Sequence, residues 1–422
     1  MEPTRVKGLS ISRLTLERLV LASLVALPYV IYLTLVTLVG FLAISLYRWP
    51  REIWQRLYRQ GWLWLALGLV VGIVLSTAPG ESALQGLNFV PFFVFYAAIA
   101  TALPTFTQPL KTLHHWSMAL LVAAVPINLA AVAEFYLRAP ASLARWGSHP
   151  WLQWLYLQTN YGHRASAVFG HPNALANYMV IVFGLGLGLC AYYLNRSDLR
   201  HQGLWVCGAT ALALVGIYCS GSRNGLLIAG LQLLLFGGLL RPYRYIFWAG
   251  LGAIALVVAS SLLWGIGGRT LGEALGTVYL RFSVWQLALD MIPQHPWFGS
   301  GLGTFKQLYD PASFPVEGDF LPHVHNLWLM LATEAGLPVA LGFTAVVGWV
   351  VGSSTSALIG HPLPAHATAL LAGYLTGLGG TVAFAIFDLA FYDARVNILG
   401  WLMLGAIQGM AAWVTQAAPK SV

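Results

Sequence analysis

Twenty-nine consecutive residues, 19–47, carry no charged side chain. About 20 apolar residues in a helix cross the hydrocarbon core of a bilayer. Comparable runs recur along the whole chain, at roughly 62–77, 87–103, 115–137, 173–194, 203–219, 226–240, 245–265, 326–352, 367–387 and 396–416. In lipid, backbone amides are satisfied only within helices or closed barrels. Barrel strands would alternate in short segments, and these runs do not. Only 9% of the residues are charged and the mean hydropathy is +0.71, whereas soluble domains carry about 25% charge. The chain therefore reads as an all-α polytopic membrane protein, with residues 1–422 forming a single integral membrane domain.

Basic residues set the topology. Arg13 and Arg18 precede the 19–47 run, and Arg48, Arg51, Arg56 and Arg59 follow it. Cytoplasmic flanks collect Lys and Arg, so both flanks are placed inside and the run goes in and returns as two short helices that bend after Pro28. A single tilted span is the alternative, and it would invert everything downstream. The hairpin gives about twelve crossings (eleven without it), with both termini cytoplasmic. Fourteen of the 22 basic residues then fall in inner segments. The net charge of +8 follows from this bias and does not call for nucleic acid. Cys190, Cys207 and Cys219 lack metal-ligand spacing and read as small apolar residues. Two outer loops are long, 138–172 and 266–325. Within the second, Val278, Phe282, Trp285, Leu289 and Ile292 recur at helical spacing, which predicts an amphipathic helix at the outer surface.

This topology gathers the unusual polar residues on the outer side. Arg164, His171 and Asn173 lie in HRASAVFGHPNALANY, and Arg223 lies in the tight turn SGSRNG. Arg281, His323, His325 and Asn326 border the main loop, and Asp388, Asp393 and Arg395 close the last turn. Arginine at outer helix mouths runs against the positive-inside bias and needs a partner, so several together suggest an anion site. Each has a plainer reading. Arg223 and Arg281 would snorkel to headgroups, or Arg281 would pair with Asp290 or Glu273. His325 would only cap a helix. Against this, imidazole titrates near neutral pH and serves as a general base. His323 and His325 are two apart, but no Asp, Glu or Cys beside them completes a metal set, so no metal and no cofactor is expected. The glycines of GSGLG (Gly299, Gly301, Gly303) are a weak signal alone.

Four elements taken together resemble the O-antigen ligase and polymerase superfamily of bacterial membrane proteins. They are His171-Pro172-Asn173, the Ser222-Arg223 turn, the Arg281–Trp285 helix running into HPWFGSGLGTF, and His325-Asn326 followed by Gly336. The resemblance spans roughly residues 160–410. Val339 stands where the family usually has Gly, Thr or Tyr. The resemblance implies a GT-C-like membrane glycosyltransferase, independent of metal. It would pass a glycan from a polyprenyl-diphosphate-linked donor to a lipid-linked or glycan acceptor at the periplasmic face of the inner membrane. In that reading His325 is the general base or acceptor-positioning residue, with His323 second and Asn326 positioning. Arg223 and Arg281 hold the diphosphate, and Arg164 and Asn173 are lesser donor contacts. A guanidinium fork suits phosphate oxygens, so the residue types agree with the implied chemistry.

Two other functions compete. A polymerase shares the donor and differs in its acceptor. A transporter of inorganic carbon (bicarbonate) would need ionisable residues near the bilayer midplane. Here such residues crowd one face, and Glu134 and Glu334 are the exceptions.

Overall fold

A computed structural model describes residues 13–146, 148–149, 161–162, 164–194, 196–263, 271–308, 323–389 and 392–417. Much of both long loops lies outside these residues. No strand occurs among the described residues. Nine of their helices are long and apolar enough to cross a membrane, or ten if a bent pair counts as one span. The chain is thus a multi-pass membrane protein.

The other crossings expected from the sequence are present as shorter helices. Arg13–Ala26 and Trp62–Leu75 have 14 residues each, and Arg223–Leu239 has 17. The 19–47 run does fold back on itself. Arg13–Ala26 and Ile31–Arg48 flank the turn at Pro28, and Ser23 Oγ meets Thr37 Oγ1 at 2.6 Å across the hairpin. Pro50–Arg59 then bends by 75° into Trp62–Leu75. Ile53 and Leu57 are buried on one side of Pro50–Arg59, while Arg51 and Arg59 are exposed on the other. That pattern suits a helix lying in the interface.

Helix Pro172–Leu194 is the central element and is buried along most of its length. It packs on Ala365–Phe384 through paired glycines at four-residue spacing. A Cβ on Gly184 would lie 2.6 Å from the Gly377 Cα, and one on Gly188 would lie 2.8 Å from the Gly373 Cα. Small residues four apart let two membrane helices approach closely, where packing rather than hydrophobicity drives association. Gln232, buried in Arg223–Leu239, donates from Nε2 to the carbonyls of Val180 (2.9 Å) and Thr376 (3.1 Å). One amide thus ties the short helix to both members of the pair.

One expectation is corrected. The span 326–352 is broken, because Leu327–Glu334 and Leu337–Gly360 are separate helices. Gly336, between them, has φ +89 and ψ 160, a conformation essentially confined to glycine. Its Cα faces the Trp297 carbonyl, where a Cβ would sit 2.4 Å from the oxygen. The expected amphipathic helix forms as Leu271–Met291, and the predicted apolar residues are divided: Phe282 and Leu289 are exposed, whereas Trp285 and Ile292 pack partly buried against the core.

The break at Gly336 is fastened by the GSGLGTF turn. Ser300 N donates to Thr333 O (3.0 Å), Gly301 N to Glu334 O (2.9 Å) and Leu337 N to Pro296 O (2.9 Å). The buried Glu334 carboxyl accepts from Gly303 N (2.8 Å) and Phe305 N (3.1 Å). The glycine motif is therefore a buckle that fixes where Leu327–Glu334 stops and Leu337–Gly360 begins. Gly336→Ala is expected to lose about 1–3 kcal/mol from backbone strain alone, with the clash adding to it. Thermal unfolding in detergent checks this: a melting temperature equal to wild type would mean that the buckle does not hold the break.

Candidate active site

The expected polar residues meet at one end of the bundle. Leu327–Glu334 begins with Asn326, whose Oδ1 accepts from Leu329 N at 3.0 Å, a side-chain N-cap. The Asn326 Nδ2 donates to Ile386 O (3.0 Å), and Leu327 N donates to Ala385 O (3.0 Å). These bonds clamp the start of the helix to the turn after Ala365–Phe384. Trp285 Nε1 donates to Val324 O (3.0 Å) and holds the segment from the other side.

His325 sits between these clamps with φ +53. A non-glycine residue there is uncommon and points to an imposed geometry. Its Nδ1 lies 3.4 Å from Asp388 Oδ1. The Nε2 forms no hydrogen bond among the described residues.

Asp388 is the hub. It is buried, it accepts from Asn173 Nδ2 and from Leu389 N (2.8 Å), and it pairs with His325. Burial alone would raise its carboxyl. The hydrogen bond and charge of His325, then the charges of Arg281 and His171, outweigh burial and hold the carboxyl down at about 2. Its folded-state value lies below the ordinary carboxylate value. The linked stability is therefore present above about pH 4 and lost as pH falls through about 2. Near neutral pH the group is a fixed anion facing the histidine.

Asn173 continues the network. Its Oδ1 accepts from Arg164 Nη2 (2.8 Å), and its backbone N–H donates to His171 Nδ1 (3.0 Å). Arg164 is buried, and its Nε also donates to Ser220 O (2.8 Å). That carbonyl belongs to the turn that leads to Arg223, the first residue of its helix behind the N-cap Ser222. A second ion pair supports the same corner. Glu134 lies 3.4 Å from Arg138 Nη1 and accepts from Ser166 N and Ala167 N, while Arg138 donates to Arg164 O. Glu134 is thus part of the scaffold under the site.

The network runs from the Ser220–Arg223 turn through Arg164, Asn173 and Asp388 to His325. Arg281 bears on it through its charge at Asp388. His323 feels the charges of His325 and Asp388 but forms none of the network's hydrogen bonds; it is exposed, and its ring stacks over Tyr392 at 6.0 Å. Arg164 has the surroundings of a brace rather than of a ligand-facing arginine. Along the sequence Asp388 stands out only as one of the polar residues of the closing turn. Its signal is an acidic side chain in the mostly apolar stretch AIFDLAFYDAR between two spans.

A largely apolar cavity of about 410 Å³ opens beside this site, among Arg223–Leu239, Leu337–Gly360, Ala365–Phe384 and Ala394–Ala417. Its wall includes Trp328, Val347, Leu378 and Trp401, and it reaches Leu327 and Ala385, which adjoin Asn326 and the Asp388 turn.

Comparison with known proteins bears on the same residues. Residues 208–344 match the family described as O-antigen ligase. Arg223, Arg281, His323, His325 and Asn326 fall inside this stretch, whereas Arg164, Asn173 and Asp388 flank it. The chain is also 27% identical over 225 residues to a general O-oligosaccharyltransferase of Acinetobacter baylyi, an alignment covering 48% of this chain and 36% of that protein. The chain thus spans about a third of the length of this curated relative. The two matches support the resemblance to the O-antigen ligase superfamily.

Proposed function

We propose that this protein transfers a glycan from a polyprenyl diphosphate carrier to an acceptor sugar at the periplasmic face of the inner membrane, in the manner of an O-antigen ligase. The observation that carries the reading is the His325–Asp388 pair, set at a helix mouth among arginines and beside an apolar cavity.

In this reading Asp388 holds the proton of His325 on Nδ1, so that Nε2 presents its lone pair. The acceptor hydroxyl oxygen attacks the anomeric carbon of the donor, and its proton passes to Nε2. The bond from that carbon to the diphosphate oxygen breaks, and the diphosphate leaves on its lipid. Arg223 and Arg281 neutralise the charge that grows on the leaving group, as preorganised cations do most effectively where water is excluded. Arg164 and Asn173 keep Asp388 and the Arg223 turn in place. His323, exposed over Tyr392, lies where an acceptor would approach. The apolar cavity takes part of the polyprenyl chain.

Transfer from a polyprenyl-diphosphate glycan by the purified protein in liposomes, with EDTA present, tests the reaction. Failure with lipid-linked, glycan and protein acceptors alike, together with bicarbonate uptake by the same liposomes, would move the assignment to a transporter. The acceptor that works separates ligase from polymerase.

The cavity gives its own test. A Cβ on Gly348 would meet nothing within 4 Å, and Gly348 lines the cavity. Gly348→Phe is therefore expected to fill the cavity without moving the backbone. It should raise KM for the long-chain donor about tenfold, with less effect on a short-chain analogue. Equal KM values for the two donors in wild type and variant would exclude the cavity as the chain site.

A further inference from the structure

At the other end of the bundle lies a pocket that the transfer reading leaves without a role. Its volume is about 540 Å³. Lys111 and His114 come from the start of Pro109–Leu137, Arg196 follows the end of Pro172–Leu194, and His366 is in the first turn of Ala365–Phe384. Lys111 is 23 residues from Glu134 on one helix, so the pocket is about 35 Å from the His325 end at 1.5 Å per residue.

Three features suit it to an anion. The first is two helix N-termini that meet there. Pro109–Leu137 and Ala365–Phe384 both start without a side-chain cap, so their first N–H groups lack partners within the helix and carry positive potential. Aromatic rings hold the two ends together, with Tyr192 4.7 Å from His114 and 5.4 Å from His366.

The second feature is the charge. Lys111 is exposed and forms no ion pair among the described residues. Arg196 is partly neutralised by Asp198 at 3.4 Å. An adjoining cavity of about 360 Å³ shares Lys111 and His115 and adds Arg18. Its one acidic residue, Glu17, already accepts from Thr112 Oγ1 at 3.2 Å. Cations thus outnumber anions around the two adjoining cavities.

The third feature is amphipathic. Leu110, Leu370 and Trp413 also line the pocket. Such a lining, at the ends of helices that cross a membrane, suits a molecule with an anionic head and an apolar body.

We propose that this pocket binds a phosphate-bearing anion, held by Lys111 and the two helix N-termini, and that the apolar lining selects the headgroup of an anionic membrane lipid. The site is independent of the glycan-transfer reading.

Native mass spectrometry of the full-length protein, titrated separately with phosphatidylglycerol and phosphatidylcholine, tests it. Wild type is expected to bind phosphatidylglycerol about tenfold or more tighter, and Lys111→Gln to lose most of that preference. His366→Gln is the second variant, since the two residues belong to different helices. Arg51→Gln with Arg59→Gln removes charge from a helix outside the pocket that lies in the interface and itself attracts anionic headgroups, and should lower the preference far less than Lys111→Gln. Displacement by millimolar inorganic phosphate would keep the anion site and assign it to a soluble phosphate. Equal binding of the two lipids without phosphate binding, or equal loss in the Arg51/Arg59 control, would overturn the proposal.

Discussion

His325→Ala is expected to lower glycan transfer by about 10²–10⁴, the usual effect of removing a general base, while the protein still inserts and purifies as wild type. The side chain is partly exposed at the site and forms one bond, to Asp388. The helix start beside it is held instead by Asn326, Leu327 and Trp285. Loss of the ring should therefore affect chemistry more than fold. Asp388→Asn is the informative companion. It keeps the shape and removes the charge that orients His325, so kcat should fall with little change in KM. A neutral amide at this position would also face Asn173 Nδ2 and Leu389 N with one acceptor oxygen instead of two. Transfer at the wild-type rate by His325→Ala, at matched expression, would remove the base from the mechanism.

The second large effect is expected at the arginines. Arg223→Ala and Arg281→Ala should each lower kcat by about 10²–10³, the range for losing one electrostatic stabiliser. Arg223→Lys and Arg281→Lys should recover only part of the rate, because an ammonium cannot make the bidentate contact of a guanidinium with phosphate oxygens. Single-turnover transfer with saturating donor separates this from a binding defect. An effect confined to KM would mean that the arginines hold donor and transition state equally. Arg281 carries a further consequence, because its charge helps to depress Asp388. The carboxyl of Asp388 should therefore titrate higher in Arg281→Ala than in wild type.

Much of this site is legible in the sequence, for a local reason. His325-Asn326 precedes an apolar run, and Asn there is a capping residue whatever the fold; it caps Leu327–Glu334. Arg223 behind Ser222 opens a helix as the turn chemistry requires. Tertiary facts were not legible. The glycines of GSGLG read as a weak turn signal, yet their partner is Glu334, about thirty residues on, and the pairing turns an expected continuous span into two helices. Arg164 looked like one more arginine at the outer face, and its burial against Ser220 O and Asn173 makes it a brace.

The sequence by itself determined that the chain is helical, that it crosses a membrane many times, and that His, Asn and Arg collect near the ends of particular spans. Apolar runs and caps act over a few residues, so they can be read along the chain. The tertiary structure alone decided which of these residues meet. Asp388 joins His325 across 63 positions and Asn173 across 215. That meeting depends on Pro172–Leu194 lying against Ala365–Phe384, where facing glycines allow the two backbones to touch. Such a contact fixes register between distant segments, and no local propensity carries that information.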